Sequence, residues 1–561
     1  MIIVSKSQCC NCSRVTYKDD FRATVEQGNS ILRSIAILLL VMGAPVLKAG
    51  QSNTPPNVLF IAIDDMNDWT SYLHGHPQAR TPNLDRLAKN SVRFTQAYCN
   101  APSCNPSRAS VMLGKHPNST GFYSNKIGQT SIDLRKYYPD KLTIPQFFKQ
   151  HGYSTFRTGK IYHYWGDWAD MKVKQKDLSF EVHSWGGGKS IEPSTYLCGI
   201  DFGWSFTKSG KRSYMDWGAI DAASSEFGEY GRASTIINEI NREHSKPYFA
   251  AIGFYLPHLP WYYPQEILDN PELAHIRDVA DVMLPKVLTD PPGRDLLDLS
   301  DVALKIASGG LRPRSLEGSR TYKNWHDAIT GEDKWKEAVQ AYLASIYFVD
   351  QQLGRVLDAL EKSTNGEHTI IVLWSDHGWM LGEKGAWRKY RPWEDSVRTN
   401  FIVKAPGISA AAIEQPVELL SIWPTLAELA GLPIKEDLDA RSLVSLMKNP
   451  DIQWDFPVIT AHLDESGNGG WQSIRTARYR YIKYLKTGAE ELYDHSNDPN
   501  EWTNLIDRSR YKAVSEELSA LVPDAMTVLG SWDAPDEAVV EHNRREFHLI
   551  ADQLNANMYE N

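Results

Sequence analysis

NVLFIAI (57–63) carries six consecutive apolar residues after Asn57 and is rich in β-branched side chains. That pattern predicts a strand buried on both faces of a parallel sheet. YSTFRTG (153–159), PYFAAIGFY (247–255) and HTIIVLWS (368–375) repeat the texture and predict three more such strands. Between them the apolar spacing turns helical. TPNLDRLAKNSVRF (81–94) predicts a helix with Thr81 as N-cap and Pro82 in its first turn. Further helices are predicted over 143–151, 232–244 and 334–362, the last carrying an apolar stripe of Val339, Leu343, Ile346, Val349, Leu353, Leu357 and Leu360. Strands alternating with helices predict an α/β fold, a large mixed, mostly parallel sheet flanked by helices on both faces. Past residue 445 the texture changes. WQSIRTARYRYIKYL (471–485) alternates apolar and polar positions, Thr487-Gly488 makes a turn, and EELYDHSNDPNEWTNL follows. This predicts a smaller C-terminal domain of antiparallel sheet plus helix. Residues 265–335, rich in Asp, Pro and Gly, predict a long surface insertion with short helices.

A length of 561 residues exceeds what one core usually fills, so two packed units are expected. The organisation read from the chain is an N-terminal extension over 1–29, a signal peptide over 30–49, a catalytic unit over 50–445, and a C-terminal subdomain and tail over 446–561. The signal peptide rests on SIAILLLVMGAPVL (34–47), which follows Arg33, is too short to span a bilayer and ends near a cleavable Ala49. Export to a periplasmic or extracellular space follows, without stable membrane insertion. A misplaced start codon explains residues 1–29 as well as a true extension does, so Cys9, Cys10 and Cys12 carry little weight as a metal cluster. The mature chain keeps Cys99, Cys104 and Cys198. With Cys104 set aside, the other two either pair or stay as buried thiols. A net charge of −9 argues against nucleic acid as a partner, because such binding needs basic surface.

Chemistry collects where the predicted strands end. NVLFIAI runs into Asp64-Asp65, YSTFRTG into Lys160 and His163, PYFAAIGFY into His258, and HTIIVLWS into Asp376-His377. Ligands of open α/β sheets bind beyond the carboxyl ends of the strands, so four strands deliver their charged groups to one edge. Three carboxylates gathered there repel one another, and a divalent cation relieves the repulsion. Oxygen-rich ligation favours calcium, with magnesium or manganese as alternatives. CNPSRASVMLGK (104–115) places Cys104 at or just before a helix N-terminus, where free N–H groups favour an anion.

The Cys104-Asn105-Pro106-Ser107-Arg108 run resembles the maturation signature of the formylglycine-dependent sulfatases, members of the alkaline phosphatase-like superfamily. NVLFIAIDD, TPNLDRLA, GYSTFRTGKIYH, PHLP and SDHGWMLGEKGAWRKY extend the resemblance over roughly residues 55–510. The Lys160-x-x-His163 spacing, the Asp376-His377 pair and Trp387-Arg388-Lys389-Tyr390 are similar to the subgroup containing iduronate-2-sulfatase. Leu256 stands where that subgroup commonly has Lys, which removes one cation near the substrate.

The resemblance implies that a maturation enzyme converts Cys104 to formylglycine, whose hydrate attacks the sulfur of a sulfate ester. It assigns Asp64, Asp65, Asp376 and His377, with residue 104, to the cation. Arg108 would orient the formylglycine, and Lys160 and Lys389 would clamp sulfate oxygens. His258 would protonate the leaving alcohol, and His163 would take the second proton from the hydrate. The substrate implied is a sulfated sugar or polysaccharide fragment. YHYWGDWADM (162–171), Trp185 and WYYP (261–264) are candidate aromatic walls for it, although ordinary packing explains them equally well. The nearest rival is a phosphonate or phosphodiester hydrolase of the same superfamily, against which the acid at Asp65, rather than an amide, argues. A non-catalytic protein that binds sulfated glycans is the rival from a different class.

Overall fold

The computed structural model describes residues 54–523, apart from 124, 126–140, 164–178, 185, 187–190, 192, 194–195, 203–214, 287–292, 310–312, 316–320 and 465–468. The expected N-terminal extension, the signal peptide, most of 162–171 and Trp185 therefore lie outside the described residues.

The principal sheet has eight strands, numbered here in chain order: β1 (Asn57–Ile63), β2 (Val92–Phe94), β3 (Ser154–Gly159), β4 (Val182–Ser184), β5 (Tyr248–Phe254), β6 (Thr369–Ser375), β7 (Phe401–Lys404) and β8 (Ala411–Ile413). Their order across the sheet is β8-β2-β7-β6-β1-β5-β3-β4. Strands β6, β1, β5, β3 and β4 run parallel, as expected for the four predicted strands. Strand β7 pairs antiparallel with both β6 and β2, and makes the sheet mixed.

Alternation along β1 shows why its sequence after Asn57 is wholly apolar. Leu59, Ile61 and Ile63 face one core, against the helices α4 (Gly228–Ile240) and α5 (Trp335–Lys362). Val58, Phe60 and Ala62 face the other, against α2 (Cys104–Leu113), α3 (Ile144–Gln150) and α6 (Ile422–Leu429). Both faces are covered by helices, so each side chain of the strand is removed from water. The apolar stripe predicted on α5 is buried along its whole length.

Three expectations need correction. The helix predicted over 81–94 is α1 (Pro82–Lys89), capped at Asn90, and Val92–Phe94 peels away to form β2. There the β-branched Val92 and aromatic Phe94 pack into a sheet face with Arg93 half-buried between them. Helix α4 lies four residues earlier than the predicted 232–244, because Gly228 and Gly231 mask its first turn to a propensity argument. Residues 265–335 are not a mere surface insertion: Leu273, Ile276, Trp325 and Ile329 join the core around α5.

Beyond the principal sheet, β9 (Val458–Asp464), β10 (Gly469–Arg475), β11 (Tyr479–Tyr484) and β12 (Glu490–Asp494) form an antiparallel meander. Helix α7 (Lys512–Ser519) covers it through Leu518. The core beneath α2, α3 and α6 continues into this sheet through Trp471, Ile482, Tyr484 and Tyr493. Cys99, Cys104 and Cys198 are all buried free thiols, so the open choice between a pair and separate thiols falls to the latter. No helix among the described residues is long and apolar enough to cross a membrane.

Candidate active site

Each carboxyl end of the central strands contributes as the sequence order demands. Asp64 and Asp65 leave β1, Lys160 leaves β3, and Asp376 and His377 leave β6, while His258 follows β5 by four residues. Helix α2 enters the same edge with Cys104 as its first residue. The result is a buried charge cluster in which Asp64, Asp65, Asp376 and His377 are wholly enclosed, and Cys104 is 0% exposed.

Arg108, one turn along α2 from Cys104, ties the two acidic pairs together. Its Nη2 donates to Asp64 Oδ1 at 2.9 Å and its Nε to Asp376 Oδ2 at 3.0 Å. Its Nη1 donates to the carbonyl of Lys160 at 2.6 Å. Lys160 Nζ donates to Asp64 Oδ2. Lys389 Nζ lies 2.7 Å from Asp65 Oδ1 and 2.8 Å from Cys104 Sγ. The thiol is also 3.5 Å from His377 Nε2 and 3.6 Å from Asp65 Oδ1.

The two inner histidines share one arrangement. His377 Nδ1 lies 2.9 Å from the carbonyl of Gly378, and His258 Nδ1 lies 2.7 Å from the carbonyl of Leu259. A carbonyl can only accept, so each neutral ring carries its proton on Nδ1 and turns Nε2 toward the carboxylates. His258 Nε2 is 3.8 Å from Asp65 Oδ2. His163 is half-buried and lies within the electrostatic field of Lys160, Asp64 and Lys389.

The adjacent aspartates titrate in opposite senses. Burial alone would raise both. For Asp64, Lys160 first, then the His258 ring, Arg108 and Lys389, outweigh burial and hold its carboxyl well below the usual range. For Asp65, burial together with Asp64 and Asp376 outweighs Lys389 and His377, and its carboxyl is pushed up. Burial, with Asp64 adding to it, also drives the Cys104 thiol well above its ordinary value. Burial lowers His163 and His258, and the neighbouring lysines add to that effect.

These groups fit a divalent cation. Asp65 Oδ2 is buried without a hydrogen-bond partner. Ligand atoms of Asp65, Cys104, Asp376 and His377 all lie within 4.8 Å of one another, as do those of Asp64, Asp65, Cys104 and His258. Hard oxygens supplemented by one imidazole lone pair suit the oxygen-preferring metals. The backbone supports the same point: Asp65 adopts φ 61°, a left-handed conformation unusual for a residue with a side chain.

The structure thus brings together every site residue predicted from the sequence. It adds two that sequence reasoning missed. Ser107 Oγ donates to the Asp376 carbonyl, and Tyr342 Oη donates to the Asp65 carbonyl at 2.7 Å while accepting from the Asn67 N–H at 3.0 Å. Ser107 sits inside the signature run, where its polarity was a usable signal; Tyr342 sits on the apolar stripe of α5, where nothing marks it. The aromatic wall proposed at 261–264 is differently employed. Trp261 and Tyr263 are core residues, with Trp261 against Trp217, Tyr342 and Trp379, and Tyr262 Oη donates to Asp216.

A mixed, mostly parallel sheet carrying an acidic pair, an Asp-His pair and a helix N-terminus at one edge defines an alkaline phosphatase-like hydrolase. Within that class, the chain belongs to the sulfatase family, whose model matches residues 56–432. A second model, the C-terminal region of N-sulphoglucosamine sulphohydrolase, matches residues 382–526. A sulfatase of Formosa agariphila is 35% identical over 490 residues, covering 85% of this chain and 88% of that protein. Iduronate 2-sulfatase of Mus musculus is 28% identical over 451 residues, covering 72% of this chain and 74% of that protein. The crystal structure of a phosphonate monoester hydrolase of Agrobacterium radiobacter shares the fold, with a TM-score of 0.64 at 19% identity over 85% of this chain and 96% of that one. The enzyme hydrolyses sulfate esters.

Proposed function

We propose that the enzyme is an exported sulfatase acting on a sulfated saccharide, with iduronate-2-sulfatase-like architecture, a formylglycine at position 104 and calcium as its cation. The observation that carries the reading is the position of Cys104, at a helix N-terminus and in contact with Asp65, His377 and Lys389 at once. Burial raises the Cys104 thiol well above its ordinary value, which makes it a poor nucleophile in the cation-free chain and supports conversion at position 104. Because the side chain is completely enclosed, a maturation enzyme has to meet it before the chain folds around it. The saccharide substrate is supported by the likeness to iduronate 2-sulfatase, and export by the apolar run at 34–47.

Once oxidised, residue 104 supplies a hydrated aldehyde as nucleophile. Asp64, Asp65, Asp376 and His377 would hold the cation, which supplies Lewis acidity toward a sulfate oxygen. The remaining work belongs to the chain itself. Lys160 and Lys389 flank position 104 with two buried ammonium groups, which bind sulfate oxygens and stabilise the charge that develops on them. Arg108 bridges Asp64 and Asp376, and helps keep Asp64 ionised. His258, held through Nδ1 by the Leu259 carbonyl, turns a lone pair on Nε2 toward the site, and would act on the departing alcohol only after Nε2 has gained a proton from solvent or from the incoming substrate. His163 takes a proton from the side chain at 104.

The test is the mass of the peptide containing residue 104, from protein made in its own host, alongside release of sulfate from defined sulfated saccharides. We expect the peptide mass to show the aldehyde or its hydrate, and Cys104→Ala to abolish turnover. An unmodified thiol throughout a fully active preparation would refute the nucleophile.

A further inference from the structure

Outside the catalytic cluster, the segment following His377 also lines a cavity of about 240 Å³. Its walls come from four stretches remote in sequence: Asp68–Gly75 after β1, Lys286 with Asp295, Met380–Arg398, and Pro499–Trp502 beyond the C-terminal sheet. Six carboxylates line it, Asp68, Asp295, Glu383, Glu394, Asp395 and Glu501, against the cations Lys286, Lys384 and Arg398.

Two of these carboxylates are already compensated. Glu394 and Glu501 are both gripped by Arg480, and His495 adds a 2.9 Å contact to Glu501. Asp295 lies in the field of Lys384, whose ammonium sits 5.6 Å from the Trp393 ring and 5.2 Å from that of Tyr493. Of the other three, Asp68 is matched on one oxygen only, and Glu383 and Asp395 have no ion pair among the described residues. Arg398 serves Asp68 Oδ2 at 3.1 Å, but Oδ1 of this 7%-exposed residue is buried with no hydrogen-bond partner. Glu383 receives the Leu381 N–H at 2.6 Å and pairs with no cation among the described residues. The charged neighbours acting most strongly on Asp395 are Glu383, Asp68, Glu501 and Glu394, every one acidic. Burial, with repulsion added, pushes the Glu383 carboxyl up to about 7 and the Asp395 carboxyl well above its ordinary range. Carboxylates enclosed in this way either take up protons or take up a cation.

We propose that this cavity is a second cation site, where Asp68, Glu383 and Asp395 hold a hydrated divalent cation of the calcium and magnesium class. Water occupies about 30 Å³ per molecule, so the cavity admits a cation with several of its waters. Metals of this class accept water among their oxygen ligands, so the three carboxylates need not converge on one point. A cation there joins the turn after β1 to the segment that runs from His377 to Lys389. It braces the catalytic cluster from outside.

The experiment counts calcium bound per chain in the full-length protein, after chelation and titration at neutral pH, in the parent, E383Q, D395N and D65N. The parent should bind two ions, E383Q and D395N one each, and D65N one. The amides keep the size of the acids they replace, so both cavity variants should remain folded in chelator. Calcium should then raise the parent's melting temperature further than theirs. Unchanged calcium counts in both E383Q and D395N, with calcium shifts equal to the parent's, overturn the second site. An unchanged count in D65N refutes the catalytic cation alone, which keeps the two readings separate.

Discussion

Arg108 shows how much one side chain can decide at this edge of the sheet. It is 1% exposed, and its fork meets Asp64, Asp376 and two backbone carbonyls in one plane of donors. A lysine keeps the charge but presents it at a point, so it cannot serve Asp64 and Asp376 together. Arg108→Lys should therefore leave a buried carboxylate without its donor, at a cost of about 3 kcal/mol. The expected result, read from denaturant melts in chelator, is a lowered midpoint together with loss of sulfate release. A midpoint equal to the parent's would mean that Lys160 already compensates Asp64 alone.

At the scale of elements, the connection between α1 and α5 illustrates what spacing cannot reveal. Thr81 is the N-cap expected from the sequence, yet its side chain makes no capping bond. The free N–H groups of Asn83 and Leu84 are instead received by Asp350, at 3.0 and 2.7 Å, from the middle of α5. Burial pushes the Asp350 carboxyl up to about 7 even though these donors pull against it. Asp350→Ala should cost about 1–2 kcal/mol, measurable as a lowered denaturant midpoint, because two helix-end donors lose their acceptor inside the protein. Three of the four long strands were legible because burial on both faces leaves a continuous apolar run, and the fourth, β3, from its β-branched and aromatic residues. The three-residue strands β2, β4 and β8 were not, since three residues carry no period. Likewise the catalytic groups could be read from the ends of those strands, whereas Asp68, Glu383 and Asp395 gather from two stretches with no shared signature.

For the molecule as a whole, the C-terminal sheet is anchored to the body by ion pairs as well as by apolar packing. Arg480 on β11 is completely buried between Glu394 and Glu501, and Trp393 Nε1 donates to Glu491 on β12 at 3.0 Å. Burial alone would raise the Glu394 and Glu501 carboxyls, but the surrounding arginines and His495 outweigh it and hold both below the usual range. Asp64 is depressed in the same sense. Groups with lowered folded values stabilise fully above the unfolded carboxylate range, about 4.3, and lose that contribution as the pH falls below it. The unfolding midpoint should consequently drop on acidification below about pH 4.3. Arg480→Met, which strands two buried carboxylates, should lower the midpoint near neutral pH by about 3–5 kcal/mol and flatten this acid limb. A parallel acid limb in the variant would mean that other carboxylates govern the transition.

The left-handed turn at Asp65 has an outcome for protein engineering. Alanine ordinarily stabilises a chain relative to glycine, because it restricts the unfolded state. At φ 61° that ranking inverts, since only glycine accepts the conformation without a steric penalty. Asp65→Gly should therefore melt later than Asp65→Ala, by about 1 kcal/mol, while neither retains turnover. A stability screen scoring melting alone would rank the glycine variant above its alanine counterpart at a position where both have lost the reaction.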